Sequence, residues 1–191
     1  MPEPDNRQKL LNVALKLFAS RGYDAAGVQE IVAEAGVTKP TLYHYFGSKA
    51  GLLDTLIRES TRDFLDAFAK ATHYDGDLTL SLSRVVDVTL EFAKRRPDVY
   101  RLLMMLLFLP QEHEAHRIAA PVFDRQIQAL EAMFLAASRD HGNMRGRHAR
   151  YATTFHGHLN SSAALVMNGT LTEDDRLRHD VVHQFSHGIY S

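Results

Sequence analysis

Apolar residues recur at spacings of three and four along almost the whole chain, the pattern of helices that each bury one stripe. Leu10, Leu11, Ala14, Leu15, Leu17 and Phe18 predict a first helix that stops at Gly22. Val28, Ile31, Val32 and Ala35 predict a short second helix ending at Gly36, and Leu42, Tyr45 and Phe46 a third ending at Gly47. Ser48 is a suitable N-cap for a fourth, whose stripe is Leu52, Leu53, Leu56, Ile57, Phe64 and Phe68. The turn "HYDGD" at 73–77 is the clearest break in the middle of the chain. Beyond it the pattern gives a helix over 78–95, then one opened by Pro97 that holds 102–109 and is closed by Pro110. The stretch "QEHEAH" after that proline reads as a loop, followed by a longer helix carrying Val122, Phe123, Ile127, Leu130, Met133 and Phe134. It fades at "RDHGN", and two more helices are expected over 147–168 and from Asp174 to about Gly188. No stretch shows sustained β alternation between hairpin turns. The expected fold is all-α, a small N-terminal three-helix bundle ahead of a larger helical one.

Composition narrows the function more than the fold. The chain has 191 residues, 45% apolar and 24% charged, with a formal net charge of −1. No global field draws it to nucleic acid, so any such binding must come from a local patch. Cysteine is absent, which removes disulfides, thiol catalysis and cysteine-based zinc sites together. Met1 to Asn6 is polar, so no signal segment is expected there, and the longest apolar run is far short of the ~20 residues that span a bilayer. A cytoplasmic protein without a membrane partner is the expectation.

The local patch is the segment "GVTKPTLYHYFGSK". Thr38 is placed to cap the third helix, its hydroxyl accepting from the Thr41 backbone N–H. Pro40 then falls in the first turn, where a missing N–H costs nothing, so the proline opens the helix. About two turns long, this helix is too short to stand alone, and Leu42 and Phe46 supply its buried side. Thr38, Lys39, Thr41, Tyr43 and His44 are left facing out. Between Glu34 and Asp54 there is no acidic residue, while Lys39 and Lys49 are both present. A helix, a turn "AGV" and a second short helix form a helix-turn-helix pattern, whose second helix enters the DNA major groove. Thr and Lys there reach base edges; Tyr43, His44 and Lys49 hold phosphates, Lys49 at a helix N-terminus that itself favours an anion.

The segment "ALKLFASRGYDAAGVQEIVAEAGVTKPTLYHYFGSKAGLL" resembles the N-terminal DNA-binding domain of the TetR family of transcriptional repressors. The motifs "F…GY", "I…AGV" and "LY.(H/Y)F..K..L" match together over about residues 10–56. The resemblance implies that the third helix reads DNA, that a lysine opening the fourth contacts phosphate, and that the C-terminal helices bind a small ligand and dimerise. The DNA-facing set it implies is Thr38, Lys39, Pro40, Thr41, Tyr43, His44 and Lys49. Two positions depart from the family habit: Gly27 stands where a hydroxyl often caps the second helix, and Gln29 where a basic residue is common. Residues 1–48 are thus expected to form the DNA-binding domain and 49–191 the ligand-binding and dimerisation domain. The fourth helix is expected to be the only element joining the two roles.

Past residue 70 the likeness is one of helix pattern alone. Tyr100, Met104, Phe108, Phe123, Ile127, Phe155 and Leu159, with Met133, Phe134 and Tyr151, supply apolar surface on three helices. Core packing accounts for most such residues; a pocket needs some of them to face a void, and adaptable methionines favour one. His158, with Asn160 and Ser162, offers polar groups to orient an apolar or amphipathic effector. Ten of the eleven histidines lie in this half, and His179, His183 and His187 recur at spacing four. Two such histidines can bind zinc, yet the Glu of "HExxH" is missing, and a two-fold interface is the plainer use of them. The expected protein is a ligand-responsive regulator, acting as a repressor on a palindromic operator, a homodimer with no cofactor and no enzymatic activity. Two alternatives stay open on the sequence: an all-α metal-dependent hydrolase using the histidines with Glu112, Glu114 or Asp180, and a helical interaction module that no longer binds DNA.

Overall fold

The computed structural model describes residues 5–172 and 174–188, and among them regular structure is helical throughout, with no strand. The helices are α1 (Asn6–Arg21), α2 (Val28–Ala35), α3 (Lys39–Phe46), α4 (Lys49–Ala71), α5 (Leu78–Arg95), α6 (Pro97–Leu107), α7 (Glu114–Ala137), α8 (His148–Met167) and α9 (Asp175–His187). A single 3-10 turn, Gly142–Met144, separates α7 from α8. The all-α expectation holds, and most boundaries fall within a residue or two of the hydrophobic pattern. None of these helices is long and apolar enough to cross a membrane.

Two compact units result. The first runs through Thr61 and takes in Asp98–Pro121; the second joins Arg62–Pro97 to the chain from Val122 onward. In the first, Leu10, Ala14, Phe18, Ile31, Leu42, Leu52 and Leu53 are wholly buried, and α1, α2 and α3 pack on one another. Lys16 pairs with Glu34 at 2.8 Å, and Arg21 with Glu30, so two ion pairs link α1 to α2 at the surface. Exposed pairs of this kind contribute at most about 1 kcal/mol each; the buried stripe holds the bundle.

The second unit is built around aromatic side chains. Phe64 on α4 stacks on Phe92 of α5, centroids 4.2 Å apart and planes within 10°. Phe155 of α8 lies 4.7 Å from Phe185 of α9 and 6.3 Å from Phe134 of α7. Asp77 caps α5 by accepting the Leu80 N–H at 2.9 Å, Asp174 caps α9 by accepting that of Leu177 at 2.8 Å, and Arg178 pairs with Asp87 at 2.9 Å. His179, His183 and His187 form a ladder of rings 5.5 and 4.6 Å apart on the exposed side of α9. Among the described residues no three metal-ligating side chains gather where they could hold an ion.

One stretch differs from the hydrophobic pattern. The loop expected over "QEHEAH" ends early, because α7 begins at Glu114 and runs through Pro121. His113 acts as its cap: the Ala115 N–H donates to His113 Nδ1 at 3.1 Å, and the Arg117 N–H to the His113 carbonyl at 3.1 Å. Proline signals a break in sequence, but here the long apolar face of α7 outweighs the one hydrogen bond that Pro121 removes.

Candidate nucleic-acid interface

The geometry starts from the α2–α3 turn. Gly36 closes α2 in the left-handed conformation (φ 67°, ψ 32°), and the Val37 N–H returns to the Val32 carbonyl at 2.9 Å. A side chain at Gly36 would meet nothing within 4 Å, so glycine is demanded there by the backbone alone. Gly36→Ala is therefore expected to cost about 1–2 kcal/mol, the strain of a left-handed alanine; urea unfolding measures it, and no loss would mean that the turn relaxes.

Across that turn, Thr38 is the N-cap residue of α3, extended at φ −103°, with Pro40 in the first turn as expected. The Thr38 hydroxyl does not cap the backbone, however. It pairs with the Thr41 hydroxyl at 2.9 Å, while the Thr41 N–H donates to the Thr38 carbonyl at 3.1 Å. That carbonyl already satisfies the donor the hydroxyl was expected to serve, which frees the two hydroxyls to join. Leu42 and Phe46 are buried, and Lys39, Pro40, Tyr43 and His44 are exposed, with Thr41 half-buried beside them. Ser48 caps α4 as expected, accepting the Gly51 N–H at 2.9 Å. The helix thus presents Thr38, Lys39, Pro40, Thr41, Tyr43 and His44 outward over a length of about 12 Å.

Lys49 is less free than these. Half-buried at the start of α4, its ammonium sits 4.2 Å from the centroid of the Tyr23 ring and 3.5 Å from the Asp24 carbonyl oxygen. Burial lowers its pKa, with the charges of Asp24 and Glu114 acting against that shift. The Tyr23 hydroxyl donates to Glu114 at 2.6 Å; burial first, and then this bond, push the phenol's pKa well up. His113 Nε2 lies 3.0 Å from the Asp24 carboxylate. Tyr23, Asp24, His113 and Glu114 were not among the DNA-facing residues read from the sequence, where Glu114 and the histidines figured only in the hydrolase alternative. Tyr23 lay in the quoted "GY" motif, but nothing in the periodicity brought the start of α7 to it. The structure also corrects the expectation that α4 alone joins the two roles: α6 and the first turns of α7 share a compact unit with α1–α3.

The effector residues divide between the units. Tyr100 is buried on α6, Met104 half-buried, and Phe108 is 84% exposed, so it walls no enclosed cavity. In the second unit Phe123, Phe155 and Leu159 are buried and Ile127 is half-buried. His158 reaches the Val181 carbonyl, 3.2 Å away, and borders a groove of about 290 Å³ with Arg150, Tyr151 and Phe185.

A sequence profile of bacterial regulatory proteins of the tetR family matches residues 10–56, the segment that builds α1–α3 and opens α4. Residues 10–56 thus match the TetR family. One relative in that family is the transcriptional activator FasR of Mycolicibacterium smegmatis, 30% identical over 142 residues. That match takes in 74% of this chain and 63% of FasR, so the chain spans just under two thirds of that relative's length. The TetR likeness of the fold extends along the whole chain. A fatty acid metabolism regulator of Clostridium perfringens superposes with a TM-score of 0.79 at 18% identity, covering 96% of this chain and 99% of that one. The regulator FadR of Bacillus subtilis, solved with stearoyl-CoA, gives 0.76 at 19% identity over 96% and 99%.

Proposed function

We propose that the protein is a ligand-responsive transcriptional regulator that binds duplex DNA through α3 and Lys49. The observation that carries this reading is a two-turn helix, fixed by Leu42 and Phe46, whose outward side holds Thr38, Lys39, Thr41, Tyr43 and His44 with no carboxylate among them. Thr38, Lys39 and Thr41 read base edges; Tyr43, His44 and Lys49 hold phosphates; Pro40 sets the entry of the helix. Residues 1–48 form the DNA-binding part and 49–191 the part that binds effector and dimerises. One such helix gives little affinity, so the working species is a homodimer joined through α8 and α9, with recognition helices about one DNA turn, ~34 Å, apart or somewhat more on a palindromic site. Occupying that site in the cytoplasm represses the gene it overlaps.

The effector is a small apolar or amphipathic molecule. The candidate contacts read from the sequence are Tyr100, Met104 and Phe108 in the first unit, and Phe123, Ile127, Phe155, His158 and Leu159 in the second. FadR of Bacillus subtilis, of similar fold, was solved in complex with stearoyl-CoA, which supports an effector of that amphipathic kind. A ligand shifts DNA affinity only if it binds the two states of the protein unequally.

The deciding experiment titrates a labelled random-sequence duplex with the full chain from 50 to 200 mM salt. Binding should weaken steeply with salt, and Lys49→Ala should weaken it on every sequence while lowering the salt slope by roughly 1, the loss of one phosphate contact. No binding at the lowest salt would sink the regulator reading in favour of an interaction module.

A further inference from the structure

Three consecutive residues of the α1–α2 loop are docked on residues 105–114. A side chain added at Gly22 would sit 3.6 Å from the Met105 methyl; the Tyr23 hydroxyl donates to Glu114 at 2.6 Å; Asp24 faces His113 Nε2 at 3.0 Å. Two of these three also hold Lys49, Tyr23 through its ring face at 4.2 Å and Asp24 through its carbonyl at 3.5 Å. The same two residues therefore meet His113 and Glu114 through the Asp24 carboxylate and Tyr23 hydroxyl, and the ammonium through the Asp24 carbonyl and Tyr23 ring.

A lysine ammonium rides on a flexible four-carbon stem, and a phosphate contact made by an unanchored one loses much of its strength to ordering. Here a π face and a carbonyl fix it in advance. The two carboxylates nearest to it would otherwise compete with phosphate. Each is already engaged: Glu114 accepts from the Tyr23 hydroxyl, and Asp24 from His113. His113 Nδ1 accepts the Ala115 N–H, which leaves the ring proton on Nε2, pointed at Asp24.

We propose that Tyr23 is a positioning residue for DNA binding: its ring seats the Lys49 ammonium for the phosphate backbone, and Glu114 at the start of α7 fixes that ring. The proposal rests on the reading of Lys49 as a phosphate contact. It makes the first turn of α7, and not α4 alone, an element whose movement changes DNA affinity.

The test is a mutant cycle on the full chain with the random-sequence duplex. Tyr23→Leu, which keeps an apolar side chain but removes the π face, should weaken binding roughly three- to ten-fold. Tyr23→Phe, which keeps the face but loses the bond by which Glu114 fixes it, should show a smaller loss, between the wild type and Tyr23→Leu. In a Lys49→Ala background Tyr23→Leu should cause no further loss. An equal loss in both backgrounds would show that Tyr23 only supports the fold, and would overturn the proposal while leaving the phosphate reading intact. Lys49→Ala with wild-type affinity and salt slope would overturn the phosphate reading and the proposal together. A readout that needs neither variant nor DNA is the Lys49 ε-methylene proton resonance. The ring beneath it should move that signal upfield, and an ordinary lysine position would also overturn the proposal.

Discussion

Phe155→Ala is expected to lower the free energy of unfolding by about 3–5 kcal/mol, the usual cost of truncating a fully buried phenylalanine. The side chain has no solvent exposure. It stands between Phe185, 4.7 Å away on α9, and Phe134, 6.3 Å away on α7, so its removal opens a void facing both. Neither neighbour collapses into that void easily. Phe134 is itself fully buried, and Phe185 already leans on Tyr151 at 6.4 Å. Urea unfolding of the two proteins measures the difference. A loss below about 1 kcal/mol would mean that Phe155 already borders empty space. The result bears on function too, since Phe155 is a candidate effector contact. A drop in ligand response caused by this variant is informative only after its stability loss is known, and the milder Ile127→Ala, at a half-buried position, is the better probe of the pocket.

The hydrophobic pattern and the glycines that stop helices made the N-terminal elements legible. Gly22, Gly36 and Gly47 end α1, α2 and α3 where the periodicity lapses, and Leu42 with Phe46 gives α3 its buried side as read from the spacing. The outward set on α3 followed from the same spacing. Three things were not legible. The Thr38 hydroxyl bonds sideways to Thr41 because the cap donor was already taken by a carbonyl, a choice between two acceptors that residue types do not fix. The start of α7 looked like a loop, because Pro110 and the polar run "QEHEAH" after it both argue against helix locally. Its packing, and a cap made by an imidazole, outweigh them. The seat of Lys49 depends on residues 91 positions apart, Tyr23 and Glu114, and no periodicity reports a contact of that range. In the second half, apolar spacing located helices but did not separate core from pocket wall: Phe155 and Phe108 look alike in sequence, and one is sealed while the other is 84% exposed.

Acidification is expected to destabilise the protein through His156, next to Phe155 on α8. Its ring is buried, with the Asn160 amide nitrogen 3.4 Å away as a polar neighbour, and burial lowers its pKa from 6.5 to about 4. The charged form is the one that burial disfavours. Between those two values the unfolded chain binds a proton at this residue and the folded one does not. Stability is thus present in full above pH 6.5, falls as pH drops through the window from 6.5 to about 4, and levels off below it. At pH 5 the expected loss relative to pH 7 is about 2 kcal/mol from this group. His156→Gln has no charge to gain, so it should remove that portion of the pH slope, whatever it does to stability at pH 7. Unfolding both proteins in urea at pH 7 and pH 5 gives two differences, and subtracting them cancels the other histidines. Equal differences would mean that the ring takes up its proton while folded, through an opening of the α8 packing that leaves the aromatic cluster around Phe155 in place.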